Sequence, residues 1–290
     1  MITHETLKKL PFTENNIKKV FFKMDKTTRI VGCCTEQHFI EQLIQPKYKE
    51  YSSGFWFNKH KGKYQCFKLI SYEPTETDKK IMSFLNKKGI NCFIIKFDYP
   101  TRNFYYKQYP VKDKWKVFPH NNAEIEIQTR HIFPESIDKS FTYLKNKNVL
   151  YDVVIERIFA NYYLHYGFDI DCFTLDGNKL SMFEVKQKYP TRGETYGLNE
   201  HMKTFFGMLN DIGIITYYVI LTKPREKGCN IDMWDKGEWL ITKIDPKQLE
   251  LTGYAPKKTG MYGTHGYTYY HIPVSDFRLI NSVVYSERKE

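Results

Sequence analysis

Apolar positions recur along the chain at two spacings, and the switches between them mark out the expected elements. Residues 14–25 and 35–44 show helical spacing, with Thr13 and Thr35 placed as N-caps. From 54 to 72 the pattern turns to aromatic, β-rich runs on either side of Asn58-Lys59-His60-Lys61-Gly62, which predicts a hairpin with a basic turn. Residues 75–88 are expected to form a helix, 91–97 a buried strand, and 102–117 an edge hairpin that mixes tyrosines with lysines. The stretch 118–148, with Pro119, His120, Asn121, Asn122, Pro134 and the Lys145 to Asn148 cluster, is polar and irregular.

The second half is patterned more strongly. Residues 150–166 group Val153, Val154, Ile158, Phe159, Tyr162 and Tyr163 on one helical face, and Gly167 follows where a C-cap belongs. Residues 168–175 read as a strand, Asp176-Gly177-Asn178 as a hairpin turn, and 179–186 as the return strand. A second amphipathic helix is expected over 198–213, closed by a glycine. It is followed at 214–222 by an apolar strand of the kind buried inside a sheet.

A chain of 290 residues exceeds the usual size of one domain, so two are expected, with one elaborated domain as the alternative. The polar stretch puts the division near residue 140, giving domains 1–140 and 141–290, the first of mixed α+β character. Charge sharpens that division. Residues 1–150 hold 27 Lys and Arg against 15 Asp and Glu, while 151–290 hold 17 against 18. The N-terminal part is therefore at +12 and the rest at −1, so all of the basic excess lies in the N-terminal part, which suits a polyanionic partner, because neutralising phosphates releases condensed counterions. Lysines that merely keep an aromatic-rich protein soluble would give the same total.

The six cysteines form no C-x-x-C pair, so neither a zinc ligand set nor a redox motif is indicated. The first nine residues lack the apolar run of a signal peptide, and no stretch approaches a membrane span, so a cytoplasmic location is expected. No membrane partner is expected either.

The candidate chemistry lies between 156 and 186. Residues two apart on a strand share a face, so Glu184 and Lys186 point together, as do Asp169 and Asp171 on the preceding strand. Two carboxylates suit Mg²⁺, a hard cation that keeps water or phosphate oxygens as its remaining ligands. A lysine beside them helps polarise an attacking water and offsets charge on a phosphorane, as metal-assisted phosphodiester hydrolysis requires. Glu156, on the preceding helix, adds a carboxylate from a third element. A solvated strand face with cross-strand ion pairs would produce the same pattern.

The run Gly167-Phe-Asp-Ile-Asp-Cys-Phe-Thr-Leu-Asp-Gly177, followed by Leu180-Ser-Met-Phe-Glu-Val-Lys186, resembles the active-site hairpin of the PD-(D/E)XK nuclease superfamily, which includes many restriction endonucleases. The likeness covers about residues 150–222. It implies an α/β fold with a restriction-endonuclease-like core, α-β-β-α-β, its mixed sheet flanked by helices. It also implies Asp171 and Glu184 as metal ligands, Lys186 as the catalytic lysine and Glu156 as the helix carboxylate found in many members. Asp171 is preferred to Asp169 because members often carry an acidic residue two positions earlier. No proline precedes the aspartate, a departure common in the superfamily. The resemblance further implies a Mg²⁺-dependent endodeoxyribonuclease, with Mn²⁺ as a substitute, acting on DNA as a homodimer. A type II restriction-type enzyme fits best, because no Walker A sequence indicates a motor. The alternatives are a non-catalytic nucleic-acid-binding protein retaining the fold, and a nuclease that acts on RNA or is gated by a ligand.

Several residues are candidates for substrate contact. Lys188, Tyr189, Thr191 and Arg192 lie in the loop after the lysine, where a plain connecting loop is an equal reading. In the basic hairpin, Lys59, Lys61, Lys63 and Lys68 interleave with Phe55, Trp56, Phe57, Tyr64 and Phe67. That pattern supports either ring stacking beside phosphate contacts or rings in a core with lysines in water. His201 is expected to be structural or solvated, and Gly260, Gly263 and Gly266 to punctuate a surface connection.

Overall fold

The computed structural model describes residues 11–18, 27–110, 114–119, 134–164, 167–191, 193–222, 234, 237–249, 251–255 and 267–280. The protein is mixed α/β, with mixed sheets flanked by helices, and divides into two compact units, Met1–Leu175 and Asp176–Glu290.

In the first unit, Thr13 accepts the Asn16 amide on its hydroxyl at 3.3 Å and opens a helical stretch over 14–18. Helix α1 (Thr27–Phe39) runs on into a π-helical turn, Ile40–Ile44. Thr35 is therefore not the N-cap expected of it. It sits inside α1, 1% exposed, and its hydroxyl donates back to the Val31 carbonyl at 3.0 Å. After β1 (Glu50–Ser52) comes the expected hairpin of β2 (Phe55–His60) and β3 (Lys63–Ile70). Helix α2 (Glu76–Lys87) starts where Thr75 and Asp78 form a reciprocal capping box, and it carries the chain to β4 (Asn91–Asp98), parallel to β3.

Strands β5 (Asn103–Tyr109) and β6 (Lys116–Val117) extend that sheet to its edge, as the sequence predicts. The stretch read as irregular holds a helix, α3 (Pro134–Asn146), whose buried Ile137 and Leu144 anchor it among polar residues. Helix α4 (Leu150–Tyr163) lays Phe159 against Phe67 and Phe104 of the sheet. It closes at Leu164 rather than at Gly167. That glycine instead packs closely, since a Cβ on it would lie 3.1 Å from the Leu164 side chain and 3.3 Å from that of Trp56.

Residues 168–175 are not one strand. β7 (Phe168–Ile170) joins the edge of the large sheet, whose order is β6-β5-β4-β3-β2-β7, and β8 (Cys172–Asp176) pairs with β1 instead. Residues 141–175, placed by composition in the C-terminal part, thus pack within the first unit.

In the second unit, β9 (Lys179–Lys188) lies parallel to β11 (Ile215–Thr222), with helix α5 (Glu200–Asp211) as the crossover. The α5 N-terminus is capped by Asn199, whose side chain accepts the Met202 amide at 2.8 Å, and the helix buries Phe205, Phe206 and Leu209. β12 (Trp239–Lys243) and β15 (Arg278–Leu279) continue the sheet beyond β11. A separate three-stranded sheet has the order β10 (Thr195–Asn199), β14 (Tyr267–Pro273), β13 (Leu251–Ala255).

Candidate functional site

Asp171 occupies the bend between β7 and β8, where the chain changes partner. Ile170 is paired with Phe55 of β2, and Phe173 with Ser52 of β1, so the bend faces the gap at Ser53-Gly54. The ladders on either side hold Asp171 in place without giving it a partner strand, and leave it 6% exposed. Beside it is a cleft of about 70 Å³, whose walls include Glu36, Gly54, Trp56, Glu156, Asp169 and Asp171. Both aspartates of the sequence motif thus reach one pocket. Burial pushes the Cys172 thiol well above its ordinary range, and the Asp171 charge next to it adds to the effect.

Glu156 enters this cleft from α4 and stands close against Gly54, on which a Cβ would lie only 2.8 Å from Glu156 Oε1. The side chain retains some exposed surface, but loss of water around its carboxylate pushes the pKa up to about 7, against the opposing pull of Lys68 and Arg157. Glu36 on α1 and Asp152 push in the same direction as burial. Glu36, Gly54 and Arg157 were not singled out from the sequence, and Trp56 was read only as a stacking or core ring of the basic hairpin. They come from elements far apart in the chain, and only the lone glycine ahead of an aromatic strand was a visible signal.

Within the second unit, Glu184 and Lys186 share one face of β9, as strand alternation predicts. They lie next to Tyr218 and Ile220 of the parallel β11. Glu184 is 2% exposed, and the Lys186 ammonium pairs with its Oε1 at 2.5 Å. Lys186 itself keeps contact with solvent. Met182, Phe183 and Val185 are all buried, so the Glu184 carboxylate is set into an apolar strand and only its partner Lys186 reaches solvent.

The loop candidates divide. The Lys188 ammonium donates to the Gly197 carbonyl at 2.9 Å and to the Tyr218 hydroxyl at 2.6 Å, which ties β9 to β10. Tyr189 is 63% exposed. Thr191 is bonded to Thr195 through both backbone and hydroxyl, and Arg192 lies outside the described residues. In the basic hairpin, Lys59, Lys61 and Lys63 are exposed at the tip, while Phe55, Trp56, Phe57 and Phe67 are buried. Those rings are core and offer no stacking platform. Lys68, expected to be in water or on phosphate, is 8% exposed. His201 is exposed on α5, and Gly260, Gly263 and Gly266 lie outside the described residues.

Fold and site together define a mixed α/β protein that buries acidic side chains in both of its units, Asp78 and Asp171 in the first and Glu184 in the second. No family model, curated protein or solved structure matches the chain. Among the described residues no three His, Cys, Asp or Glu side chains are gathered as a metal site, and no helix is long and apolar enough to cross a membrane. A carboxylate such as Asp171 in the first unit or Glu184 in the second has the hard-oxygen chemistry of Mg²⁺, which needs only one or two protein carboxylates.

Proposed function

We propose that this chain is a Mg²⁺-dependent nuclease of the PD-(D/E)XK type that hydrolyses DNA phosphodiester bonds, in the manner of a type II restriction enzyme acting as a homodimer. The observation that carries this reading is Glu184, a carboxylate 2% exposed on an apolar strand with Lys186 two residues on. Burying a carboxylate costs several kcal/mol, which pairing with a partly solvated ammonium offsets only in part, so such a pair is poor structural material. A cation and a phosphate give it a use.

The resemblance assigns the metal-ligand roles to Asp171 and to Glu184, and to Glu156 that of the helix carboxylate. Bound Mg²⁺ would supply Lewis-acid polarisation and a more acidic water. The Lys186 ammonium, partly open to solvent, orients the attacking water and offsets charge that gathers on the phosphorane oxygens. Glu184 holds that ammonium in place through the 2.5 Å pair. The basic excess of residues 1–150 supplies affinity for the polyanion.

The test is cleavage of a panel of duplex DNA, single-stranded DNA and RNA in Mg²⁺ by the full chain and by Glu184→Gln and Lys186→Met. Cleavage of duplex DNA should fall at least 100-fold in each variant, with binding in Ca²⁺ retained. Wild-type rates in both variants would remove the site assignment. Binding without cleavage by the unaltered chain would favour a non-catalytic module, and cleavage confined to RNA would change the substrate.

A further inference from the structure

We propose that Lys68 is a positioning residue for the metal-binding carboxylate. Its buried ammonium clamps the Ser52–Gly54 gap against which Asp171 is held. The inference rests on the metal-site reading above and adds to it a residue from the basic N-terminal sheet.

Lys68 sits in β3, between β2 and the parallel β4, with buried Phe67 and Leu69 as neighbours in sequence. An ammonium in such a place needs several partners to offset lost hydration. It donates to the Ser52 hydroxyl at 3.1 Å and to the Ser53 carbonyl, pairs with Asp78 Oδ1 at 3.3 Å, and lies 4.9 Å from the centre of the Phe55 ring. Apart from Asp78, every one of these groups belongs to residues 52–55, the end of β1, the gap and the start of β2. The Ser52 hydroxyl passes its own hydrogen bond to Asp78, which the Thr75 capping box holds at the start of α2. The Leu69 amide donates to the Gly54 carbonyl at 3.0 Å, a second tie from β3 to the same gap.

Residues 52–55 are also the template for the bent strand. Ser52 pairs with Phe173, Phe55 pairs with Ile170, the Ser52 backbone N–H bonds the Cys172 thiol, and the Phe55 and Phe173 rings meet edge-on at 5.3 Å. Displacing the gap therefore displaces both ladders that hold Asp171. Gly54 is the point of convergence. A Cβ there would lie 2.8 Å from Glu156 Oε1 and 3.6 Å from Lys68 Nζ, and its φ of +68° is one that glycine adopts freely. A merely structural role would be served as well by neutral residues at both Lys68 and Asp78, because a buried ion pair can often be replaced as a pair without loss.

The experiment measures Mn²⁺ binding by calorimetry and thermal unfolding on the full chain, on Lys68→Met, and on Lys68→Met/Asp78→Asn, which leaves no unpaired buried charge. Supporting groups behind metal ligands are worth about 10- to 100-fold in affinity, and a loss of that size is expected in both variants, with the unfolding midpoint lowered in Lys68→Met, which strands the Asp78 charge, and kept in the double variant. Wild-type affinity in either folded variant overturns the role of Lys68 and leaves the nuclease reading standing. Unfolding of both variants also overturns it, since the clamp would then serve the fold. No Mn²⁺ binding and no cleavage by the unaltered chain would remove the metal-site reading, and this inference with it.

Discussion

Asp78 keeps its charge in a nearly closed environment. Burial raises the cost of that charge, yet Lys68 and the hydrogen bonds from Ser52 and Thr75 outweigh it and hold the carboxyl below its ordinary value. A depressed folded pKa contributes stability above the unfolded value and loses it as pH falls through the folded one. Asp78→Asn should therefore destabilise the protein at pH 7 and approach wild-type stability in acid, which denaturant titrations across pH would follow. Glu156 works in the opposite sense. Its pKa, raised from 4.5 to about 7, means a stabilising contribution complete below the unfolded value and lost as pH rises through 7. In metal-free buffer, Glu156→Gln should stabilise the fold at pH 8 by up to about 3 kcal/mol and do little at pH 4. An equal effect at both pH values would show that the carboxyl is not desolvated in this way.

At the scale of elements, two local devices have large expected effects. Thr75→Ala removes the α2 cap and should cost about 1 kcal/mol. Gly54→Ala combines a left-handed backbone with a 2.8 Å contact, and should cost more than about 1 kcal/mol and weaken Mn²⁺ binding. An unchanged unfolding midpoint and affinity would count against the convergence described at that glycine. The elements legible in the sequence are those specified by neighbours in the chain. They include α2, the β2–β3 hairpin around Lys61-Gly62, and the β9 and β11 strands that flank α5. Glu184 and Lys186 were legible for the same reason, since two-residue periodicity alone puts them on one face. What was missed depends on partners distant in sequence. Thr35 looked like a cap because nothing local shows its hydroxyl returning to Val31. The break at Asp171 arises because two different strands compete for one segment, and Lys68 looked like a hairpin-face lysine until β4 covered its other side.

At the scale of the whole molecule, the tip of the β2–β3 hairpin carries exposed positive charge, which is where the proposed polyanion would be met. Lys59, Lys61 and Lys63 project from the tip of a ribbon whose rings are committed to the core, so their contribution is electrostatic. Replacing all three by Gln should lower DNA affinity and flatten the log–log salt dependence by about 3, if each meets one phosphate. Gel shifts from 50 to 200 mM salt would read this, and an unchanged slope would place the interface elsewhere. The bend at Asp171 also limits how the chain can change in length. With Ile170 registered to Phe55 and Phe173 to Ser52, deleting or adding one residue there would slide β8 by one position and exchange its two faces. Both faces are filled, by Cys172, Phe173, Thr174 and Leu175, so no slack remains to absorb the shift. The exposed turn at Gly177 and Asn178 carries no such double constraint. Libraries of insertions and deletions should therefore accumulate survivors at 177–178 and none at 171, whether or not cleavage is the trait selected.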